Sequence, residues 1–230
     1  MSLPSHKIRK ILITAGPTRE MLDPVRFLSN LSTGEMGYRL AKIAKKMGYE
    51  VTLISGPTSI QPPQEVKFIS IVSAQDLKKA CEKEFPKHDV LIMTAAVCDF
   101  TAAKMNSQKI QRTKTHQVFL RQTPDIVAGI GKQKGDKMVI GFCLETSDWI
   151  QKAKAKLMRK SLDGIVANYY NHSHNPFGNR KINTAFVATS EILRLQRATK
   201  DQVASRLVRW IEELAVRKGS SKKAFSRRAK

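Results

Sequence analysis

The sequence predicts an α/β protein: a Rossmann-like, doubly wound, mostly parallel sheet with helices on both faces and a C-terminal antiparallel hairpin. Three observations predict this fold. Short apolar segments rich in β-branched residues alternate with segments of helical periodicity, which is the pattern of βαβ units. Several of the strand segments are apolar throughout, as expected of a sheet covered on both faces. The last two strand-like segments follow each other with no helix between them.

The elements are predicted from this periodicity and from turn and cap residues. Strands are expected at 11–13, 51–54, 66–72, 89–93, 117–121, 138–143 and 164–168, and the hairpin at 183–189 and 191–198 with its turn near Ser190. Helices are expected between Gly34 and Gly48, from Ser73 or Ala74 through Phe85, up to about Lys160, and from Asp201 onward. A further short helix follows Thr123-Pro124-Asp125, with Pro124 expected at its first position.

A chain of 230 residues suits one large domain or two small ones. It shows no internal repeat and no clear linker, so a single domain over residues 1–219 is predicted. Residues 220–230 are basic and lack apolar periodicity, which predicts a disordered tail.

The stretch between the first strand and the first helix is the main candidate for a site. Long loops inside a compact α/β unit are uncommon and usually functional. This loop carries Arg19, Arg26, Asn30, Ser32 and Thr33. An anion would fit where it meets the helix N-terminus. The alternative is an ordinary connection in which Ser32 or Thr33 caps the helix.

Three of the predicted strands run into endings that contain small residues, at 14–18, 55–58 and 94–100. Small residues let another backbone or a ligand come close. In open α/β sheets ligands bind beyond the carboxyl ends of the strands, so these endings are expected at one site. The polar segment 101–116 starts there and carries Lys104, Lys109, Arg112 and Lys114. It is interpreted as a lid over an anionic ligand or as a mobile surface loop.

Three lysines, Lys152, Lys156 and Lys160, stand four residues apart on one predicted helix. Like charges at this spacing destabilise a helix by roughly 0.2–0.5 kcal/mol per pair unless an anion lies nearby. A solvated lysine face and an anion-binding face both remain open.

Composition narrows the class of protein. The chain has 41 Lys and Arg against 19 Asp and Glu, a formal net charge of +22. This balance favours anionic partners, whether nucleic acid, an acidic membrane surface or phosphorylated small molecules. Cys81, Cys98 and Cys143 lack C-x-x-C spacing, which predicts reduced thiols rather than disulfides or a zinc site. His172 and His174 have no Cys or carboxylate at ligand spacing, so no transition-metal site is expected.

The N-terminal MSLPSHKIRK has no hydrophobic stretch after its charges, and no segment approaches the roughly eighteen apolar residues of a membrane span. A soluble, cytoplasmic protein is therefore expected. G-x-G-x-x-G, the P-loop pattern and a nucleophile elbow are all absent from the sequence. The remaining lysines and polar loops fit charge stabilisation, as in nucleotidyl transfer, better than covalent catalysis.

Several motifs, in order along the chain, closely resemble phosphopantothenoylcysteine synthetase. They are ITAGPTRE at 13–20, DPVRFLSNLSTGEMG at 23–37, TAAVCDF at 94–100, SQKIQR at 107–112, TPDIVAGI at 123–130, GFCLET at 141–146 and LDGIVAN at 162–168. The resemblance implies a ligase of coenzyme A biosynthesis that needs Mg²⁺ and no flavin. In this family the carboxylate of 4′-phosphopantothenate attacks the α-phosphate of CTP, and the amine of L-cysteine then displaces CMP from the acyl-cytidylate.

The resemblance also implies roles for individual residues. Asn30 and Lys109 would be catalytic, Asn30 toward the acyl-cytidylate carbonyl and Lys109 toward the phosphates. Arg26 and Asn30 would bind the phosphopantothenate side. The nucleotide would be bound by Met93, Thr94, Ala95, Asp99, Lys109, Pro124, Asp125, Ile126, Val127, Phe142, Lys156 and Lys160. CTP is expected over ATP from the bacterial-type residues 28–30 and Lys109.

The family implies partners as well. A homodimer is expected, with the first loop and the lid reaching toward the neighbouring subunit. No flavin-binding decarboxylase half precedes the synthetase motifs, so either a separate decarboxylase or excision from a longer chain is expected. Three places depart from the family pattern. Cys98 replaces a common alanine, Gln111-Arg112 interrupts the usual lysine cluster after Lys109, and residues 177–183 replace a more acidic segment.

Two other classes remain as alternatives. The +22 charge is compatible with a basic nucleic-acid-binding protein, although aromatics are only 7% and no stacking motif such as RNP1 appears. Only weak, salt-sensitive binding to nucleic acid is expected from charge alone. A dinucleotide-dependent reductase is disfavoured because the glycine fingerprint is missing.

Overall fold

The computed structural model describes residues 8–171, 177 and 181–228. In chain order its elements are β1 (Lys10–Ala15), β2 (Arg19–Met21), β3 (Phe27–Ser29), α1 (Glu35–Lys46), β4 (Glu50–Ser55), β5 (Lys67–Ser70), α2 (Ala74–Glu84), β6 (Val90–Met93), β7 (Phe100–Ala102), β8 (Leu120–Gln122), α3 (Ile126–Gln133), β9 (Met138–Glu145), α4 (Trp149–Arg159), β10 (Gly164–Tyr169), β11 (Ile182–Val187), β12 (Ile192–Ala198) and α5 (Lys200–Arg228). A single 3₁₀ turn, Phe85–Lys87, follows α2.

The main sheet has eight strands in the order β12-β11-β10-β9-β6-β1-β4-β5. Six neighbouring strands of this sheet, β10, β9, β6, β1, β4 and β5, are parallel. β11 pairs antiparallel with both β10 and β12. The chain runs outward from β1 to β5 and returns to β6 on the other side of β1. This reversal is the topological switch point of a Rossmann-like sheet, beyond which ligands bind. The predicted fold class and C-terminal hairpin are confirmed.

Helices cover both faces of the sheet, and successive side chains of its strands point into apolar cores on opposite faces. Ile11 and Ile13 of β1 face the cluster that includes α1 and α5. Leu12, one residue away, faces the cluster of α2, α3 and α4. All three side chains are at most 1% exposed, so β1 is a central strand without a polar face.

Two small hairpins lie outside the main sheet, and of their strands only β8 overlaps a predicted one, the strand at 117–121. β2 pairs with β3 inside the first loop, and β7 pairs with β8 at the base of the segment predicted as a lid. The unpredicted strands β2, β3 and β7 have three residues each, too short to show an alternating pattern. β8 also has three residues, so the predicted strand is shorter than expected and lies outside the main sheet. The predicted position of Pro124 is wrong. Asp125 is the N-cap of α3, so Pro124 precedes the helix instead of being its first residue.

The last helix, α5, continues to Arg228, whereas disorder was predicted from residue 220. Lys, Ala and Arg are good helix formers, so a helix anchored by its packed first half can continue past one glycine. His172 and His174, and most of the unusual segment 177–183, lie outside the described residues. The predicted division at residue 219 stays a prediction.

Cys81, Cys98 and Cys143 are buried, free cysteines. Over the part of the chain that the structure describes, no helix is long and apolar enough to cross a membrane.

Candidate functional site

The ends of β1 and β6 are joined by backbone hydrogen bonds that extend beyond the strands. Ala96 N donates to Gly16 O at 2.9 Å, and Thr18 N donates to Ala96 O at 3.1 Å. Just below, the hydroxyl of Thr94 donates to Thr14 O at 2.5 Å. These bonds close the space between the ends of β1 and β6, so a ligand would lie on the two loops rather than between the strands.

The small residues at the ends of β1 and β4 serve backbone packing. A Cβ atom added to Gly56 would lie 1.9 Å from Pro17 O, so only glycine fits there. The first two predicted strand endings are thus side by side, as expected, and the neighbour that approaches closely is backbone. This contact fixes the start of the first loop against the β4 turn.

The first loop ends at the N-terminus of α1. Gly34 precedes α1 with φ 80°, a left-handed conformation that favours glycine. The hydroxyls of Ser32 and Thr33 accept from the N–H groups of Gly34 and Glu35 at 3.3 and 3.4 Å. These contacts are local turns, and no side chain caps α1, whose N-cap is Gly34; the predicted cap at Ser32 or Thr33 is therefore wrong. The same loop lines an open groove of about 380 Å³ with the turn at residues 57–60.

Asn30 connects the first loop to the end of β6. Its Nδ2 donates to Ala96 O at 3.0 Å and lies 3.9 Å from the Sγ of Cys98. Burial raises the pKa of the Cys98 thiol above its ordinary value. A neutral, buried thiol fits the packing interpretation of Cys98 rather than a redox role.

Contacts continue from this point across the carboxyl edge of the sheet. The hydroxyl of Thr123 donates to Cys98 O at 2.5 Å, and Thr123 N donates to Asp99 O at 3.0 Å. Two residues on, the carboxylate of Asp125 caps α3 and accepts from Lys160 Nζ at 3.0 Å. The β6 loop, the α3 turn and the lysine face of α4 therefore form one contiguous surface.

The stacked lysines of α4 face carboxylates of the protein. Lys156 Nζ lies 2.5 Å from Glu145 Oε1, and Lys152 Nζ lies 3.6 Å from Glu145 Oε2. Lys160 pairs with Asp125. The repulsion between the three lysines is thus relieved by two carboxylates, Glu145 at the end of β9 and Asp125 at the start of α3. An entering anion would compete with these carboxylates for the same ammonium groups.

The structure divides the predicted nucleotide residues between the two faces of the sheet. Phe142 packs with the α1 and α5 cluster, whereas Ala95 and Val127 pack with the α3 and α4 cluster. Met93 and Ile126 are 6% and 5% exposed, so their side chains are core residues here. Pro124 and Asp99 are exposed at the edge. A nucleotide that contacted this whole set would lie across the edge of the sheet.

The segment predicted as a lid, residues 101–116, falls mostly within the loop 103–119 that rises from the β7–β8 ribbon. Ala103 N donates to Phe119 O at 2.8 Å and closes its base. Lys109 is exposed in the middle of the segment. Next to it, Ile110 is bound by the first loop: Ile110 N donates to Asp23 Oδ2 at 3.0 Å, and an Nη of Arg26 donates to Ile110 O at 3.0 Å.

Arg26 is therefore held by the protein itself, with its guanidinium 3.3 Å from Asp23 Oδ2.

Three residues with clear contacts were missed by sequence reasoning: Asp23, Thr123 and Glu145. Each lies inside a motif that carried the resemblance, so the signal was present. Their partners are distant in sequence, and only the folded chain reveals them.

The described residues hold no cluster of three or more His, Cys, Asp or Glu side chains arranged for a metal ion. Mg²⁺ usually keeps several waters and is bound through one or two carboxylates together with substrate phosphates. The carboxylate of Asp99 at the edge fits such a shared site, and a closed protein site for the metal is not present among these residues.

These features define a Rossmann-like α/β domain with a lysine-rich, anion-compatible surface at the carboxyl edge of its sheet. Residues 6–214 match the family described as the DNA/pantothenate metabolism flavoprotein C-terminal domain. The chain belongs to this family.

Similar proteins support that assignment. The coenzyme A biosynthesis bifunctional protein CoaBC of Borreliella burgdorferi is 39% identical over 208 residues, which are 88% of this chain and 52% of that protein. A cysteine/cysteine sulfinic acid decarboxylase from an unknown prokaryotic organism is 41% identical over 207 residues, 88% of this chain and 58% of that protein. The chain thus spans little more than half of these curated relatives.

A solved structure covers the matching part alone. The crystal structure of the C-terminal domain of coenzyme A biosynthesis bifunctional protein CoaBC is 36% identical, with a TM-score of 0.77. The match covers 90% of this chain and 95% of that chain. The fold described above is therefore the fold of that domain.

Proposed function

We propose that this chain is a phosphopantothenate–cysteine ligase of coenzyme A biosynthesis. It joins 4′-phosphopantothenate to L-cysteine and cleaves CTP to CMP and pyrophosphate through an acyl-cytidylate. Membership of the family and the match to the CoaBC C-terminal domain support this class of activity.

One observation carries the proposal. A continuous series of contacts links Asn30, through Ala96 and Cys98, to Thr123 and then to the Asp125–Lys160 pair. An amide donor and several ammonium groups are thus assembled on one edge of the sheet. Such a set suits a reaction in which negative charge develops on phosphates and on a carbonyl oxygen.

In the first step, the substrate carboxylate attacks the α-phosphate and pyrophosphate leaves. Lys109 would stabilise the charge on the phosphates, and Lys156 and Lys160 would hold the nucleotide. Preorganised cations at such positions stabilise the transition state more than the ground state, because charge increases there during transfer.

In the second step, the amine of L-cysteine attacks the acyl carbon and CMP leaves. The Nδ2 of Asn30 would donate to the carbonyl oxygen, on which negative charge develops. This step needs the acyl phosphate to be shielded from water. The 103–119 segment, held against the first loop, is the element positioned to shield it.

Mg²⁺ would enter with the nucleotide, held by its phosphates and by the carboxylate of Asp99, and would neutralise phosphate charge. The proposed reaction needs no flavin. CTP is proposed over ATP as co-substrate. The three buried, unpaired thiols are typical of a reducing compartment, so we place the protein in the cytoplasm.

A homodimer is the proposed assembly. The β7–β8 ribbon and its flanking residues expose large apolar side chains: Phe100, Val118, Phe119 and Leu120 are 47%, 42%, 77% and 47% exposed. Several large apolar side chains exposed on one short ribbon favour an interaction site. Sedimentation should show a dimer that Phe119→Asp, with its buried charge, converts to monomer. A separate decarboxylase is the proposed consumer of the product.

The test of the function is pyrophosphate release with 4′-phosphopantothenate and CTP, with and without cysteine, repeated with ATP. We expect release that requires phosphopantothenate and CTP, and an amide product that requires cysteine. Pyrophosphate release with ATP but not with CTP would overturn the proposal that CTP is the co-substrate. No release with either nucleotide would overturn the reaction class.

A second candidate, a nucleic-acid-binding protein, is favoured by one feature. A groove of about 550 Å³ between β12 and α5 is lined by Arg197, Arg206 and Arg209. Of these three arginines, Arg206 forms an ion pair with Glu213. Binding to RNA or DNA that was sequence-selective, and that persisted at high salt, would favour this candidate.

A further inference from the structure

Asp23 is a buried carboxylate in the first loop, with no accessible surface. Its two oxygens have different partners. Oδ1 accepts from the N–H groups of Val25 and Arg26 at 2.7 and 2.8 Å, which are local contacts that shape the loop's own turn. Oδ2 accepts from Ile110 N at 3.0 Å, a contact across 87 residues of sequence.

Arg26 completes the second contact. Its guanidinium lies 3.3 Å from Asp23 Oδ2 and donates to Ile110 O at 3.0 Å. Both backbone polar groups of Ile110 are thus held by one ion pair of the first loop. A second connection, from Asn106 N to Leu22 O at 3.0 Å, lies on the other side of Lys109.

These contacts surround the residue proposed to act on the phosphates. Residues 104–109 are exposed and lie outside any helix or strand. A lysine on such a segment is placed by its backbone, and a displacement of about 1 Å can slow a reaction roughly 100-fold. What fixes the backbone at residue 110 therefore also fixes the base of the Lys109 side chain.

We propose that Asp23 is a positioning residue: through its Oδ2 and Arg26 it latches the 103–119 segment at Ile110 and so places Lys109 for the activation step. This inference rests on the proposed function for its catalytic consequence, while the latch itself rests on the geometry alone. The charge needed for the latch is present near neutral pH. Although burial raises it, the pKa of Asp23 is lowered below its ordinary value by the N–H groups of Ile110, Val25 and Arg26 and by the charge of Arg26.

The asymmetry of the two oxygens suggests the variant. Asp23→Asn keeps one oxygen for the local turn and replaces the other with an NH₂ group. That group cannot accept from Ile110 N or from Arg26, so the latch is lost and the turn is kept. Asp89→Asn is the matched control, because Asp89 Oδ2 also accepts two backbone N–H groups, from Arg9 and Lys10, at the opposite end of the sheet.

Limited digestion of the full chain with trypsin tests the latch without any substrate. The 103–119 segment contains cleavage sites after Lys104, Lys109, Arg112 and Lys114. We expect Asp23→Asn to increase the initial cleavage rate at these sites about tenfold, the loss expected for a hydrogen bond to a charged group. The unfolding midpoint should stay close to wild type, and Asp89→Asn should leave cleavage of the segment unchanged.

Kinetics of pyrophosphate release test the consequence for Lys109. We expect Asp23→Asn to lower kcat of activation about 10- to 100-fold with the KM for CTP within a factor of two. Combining it with Lys109→Gln should add little further loss, because both changes act on the same ammonium group.

The outcomes separate the latch from the function. Unchanged cleavage in Asp23→Asn would overturn the latch whatever the activity. Faster cleavage with unchanged kcat would overturn the positioning role of Asp23. If wild type released no pyrophosphate, the catalytic consequence would fall with the proposed function, and the digestion would still decide whether the latch exists.

Discussion

The amide of Asn30 donates to the carbonyl oxygen of Ala96 at 3.0 Å, and this bond joins the first loop to the end of β6. The same oxygen accepts from Thr18 N at 3.1 Å, so it is already satisfied by backbone. The Asn30 amide can therefore change partner without leaving this carbonyl unpaired. This freedom suits a group that is to donate to a ligand.

Replacing Asn30 should separate the two chemical steps. In Asn30→Ala we expect pyrophosphate release to continue and the acyl-cytidylate to accumulate, because the donor to the acyl carbonyl is missing. Loss of one such donor typically slows a step by about 10²–10³-fold. Quenched single-turnover reactions would measure both species. Gln64→Ala, which removes an exposed amide elsewhere, should behave as wild type. Normal turnover of Asn30→Ala would exclude the proposed role.

Lys109→Gln should slow nucleotide activation. The ammonium group is expected to stabilise charge that grows on the phosphates, so kcat for pyrophosphate release should fall by roughly 10²-fold. Stopped-flow detection of pyrophosphate measures this step directly. Lys114→Gln, in the same exposed segment, is the matched control and should retain activity. Equal activity of the two variants would remove Lys109 from the mechanism.

Lys156 is expected to contribute to nucleotide affinity rather than to the chemical step. Lys156→Gln removes the closest partner of Glu145 and should raise the KM for CTP about tenfold, the effect of one hydrogen bond to a charged group. Lys154→Gln changes an exposed lysine of the same helix and should leave KM unchanged. A change in kcat alone would contradict this assignment.

The stability of the domain should depend on pH through Glu84, far from the site. Lys67 at 2.8 Å and Lys87 at 3.0 Å outweigh burial and lower the pKa of Glu84 from 4.5 to about 2. Because the folded-state pKa is depressed, this carboxylate stabilises the fold above about pH 4.5, and the contribution is lost as pH falls toward 2.

Glu84→Gln should therefore lower the free energy of unfolding at pH 7 by about 1 kcal/mol, since both lysines are half-exposed. Its deficit relative to wild type should shrink as the pH falls below 4.5. Urea denaturation at several pH values measures this. Glu82→Gln, on the exposed side of the same helix, should show neither effect. A deficit that did not depend on pH would indicate lost packing instead of lost charge.

Local pattern was sufficient to predict most of the main sheet and its helices. β1, β4 and β6 are apolar segments followed by small residues, and such segments can be recognised without knowing their neighbours. The three-residue strands β2, β3 and β7 were not predicted, and the pairing of β8 with β7 was not predicted either, because such pairing depends on register between distant segments. The course of α5 beyond residue 219 was also decided by continuity with a packed helix.

The candidate site divides in the same way. By itself the sequence determined which motifs are present, and with them the family and residues such as Asn30, Lys109 and Lys156. Only the tertiary structure decided what those residues contact: Ala96 for Asn30, Glu145 for Lys156, and the Asp23–Arg26 pair for the backbone beside Lys109. The physical reason is that hydrogen bonds and ion pairs join atoms that are close in space. Their spacing along the chain, 66 residues for Asn30 and 87 for Asp23, carries no local signal.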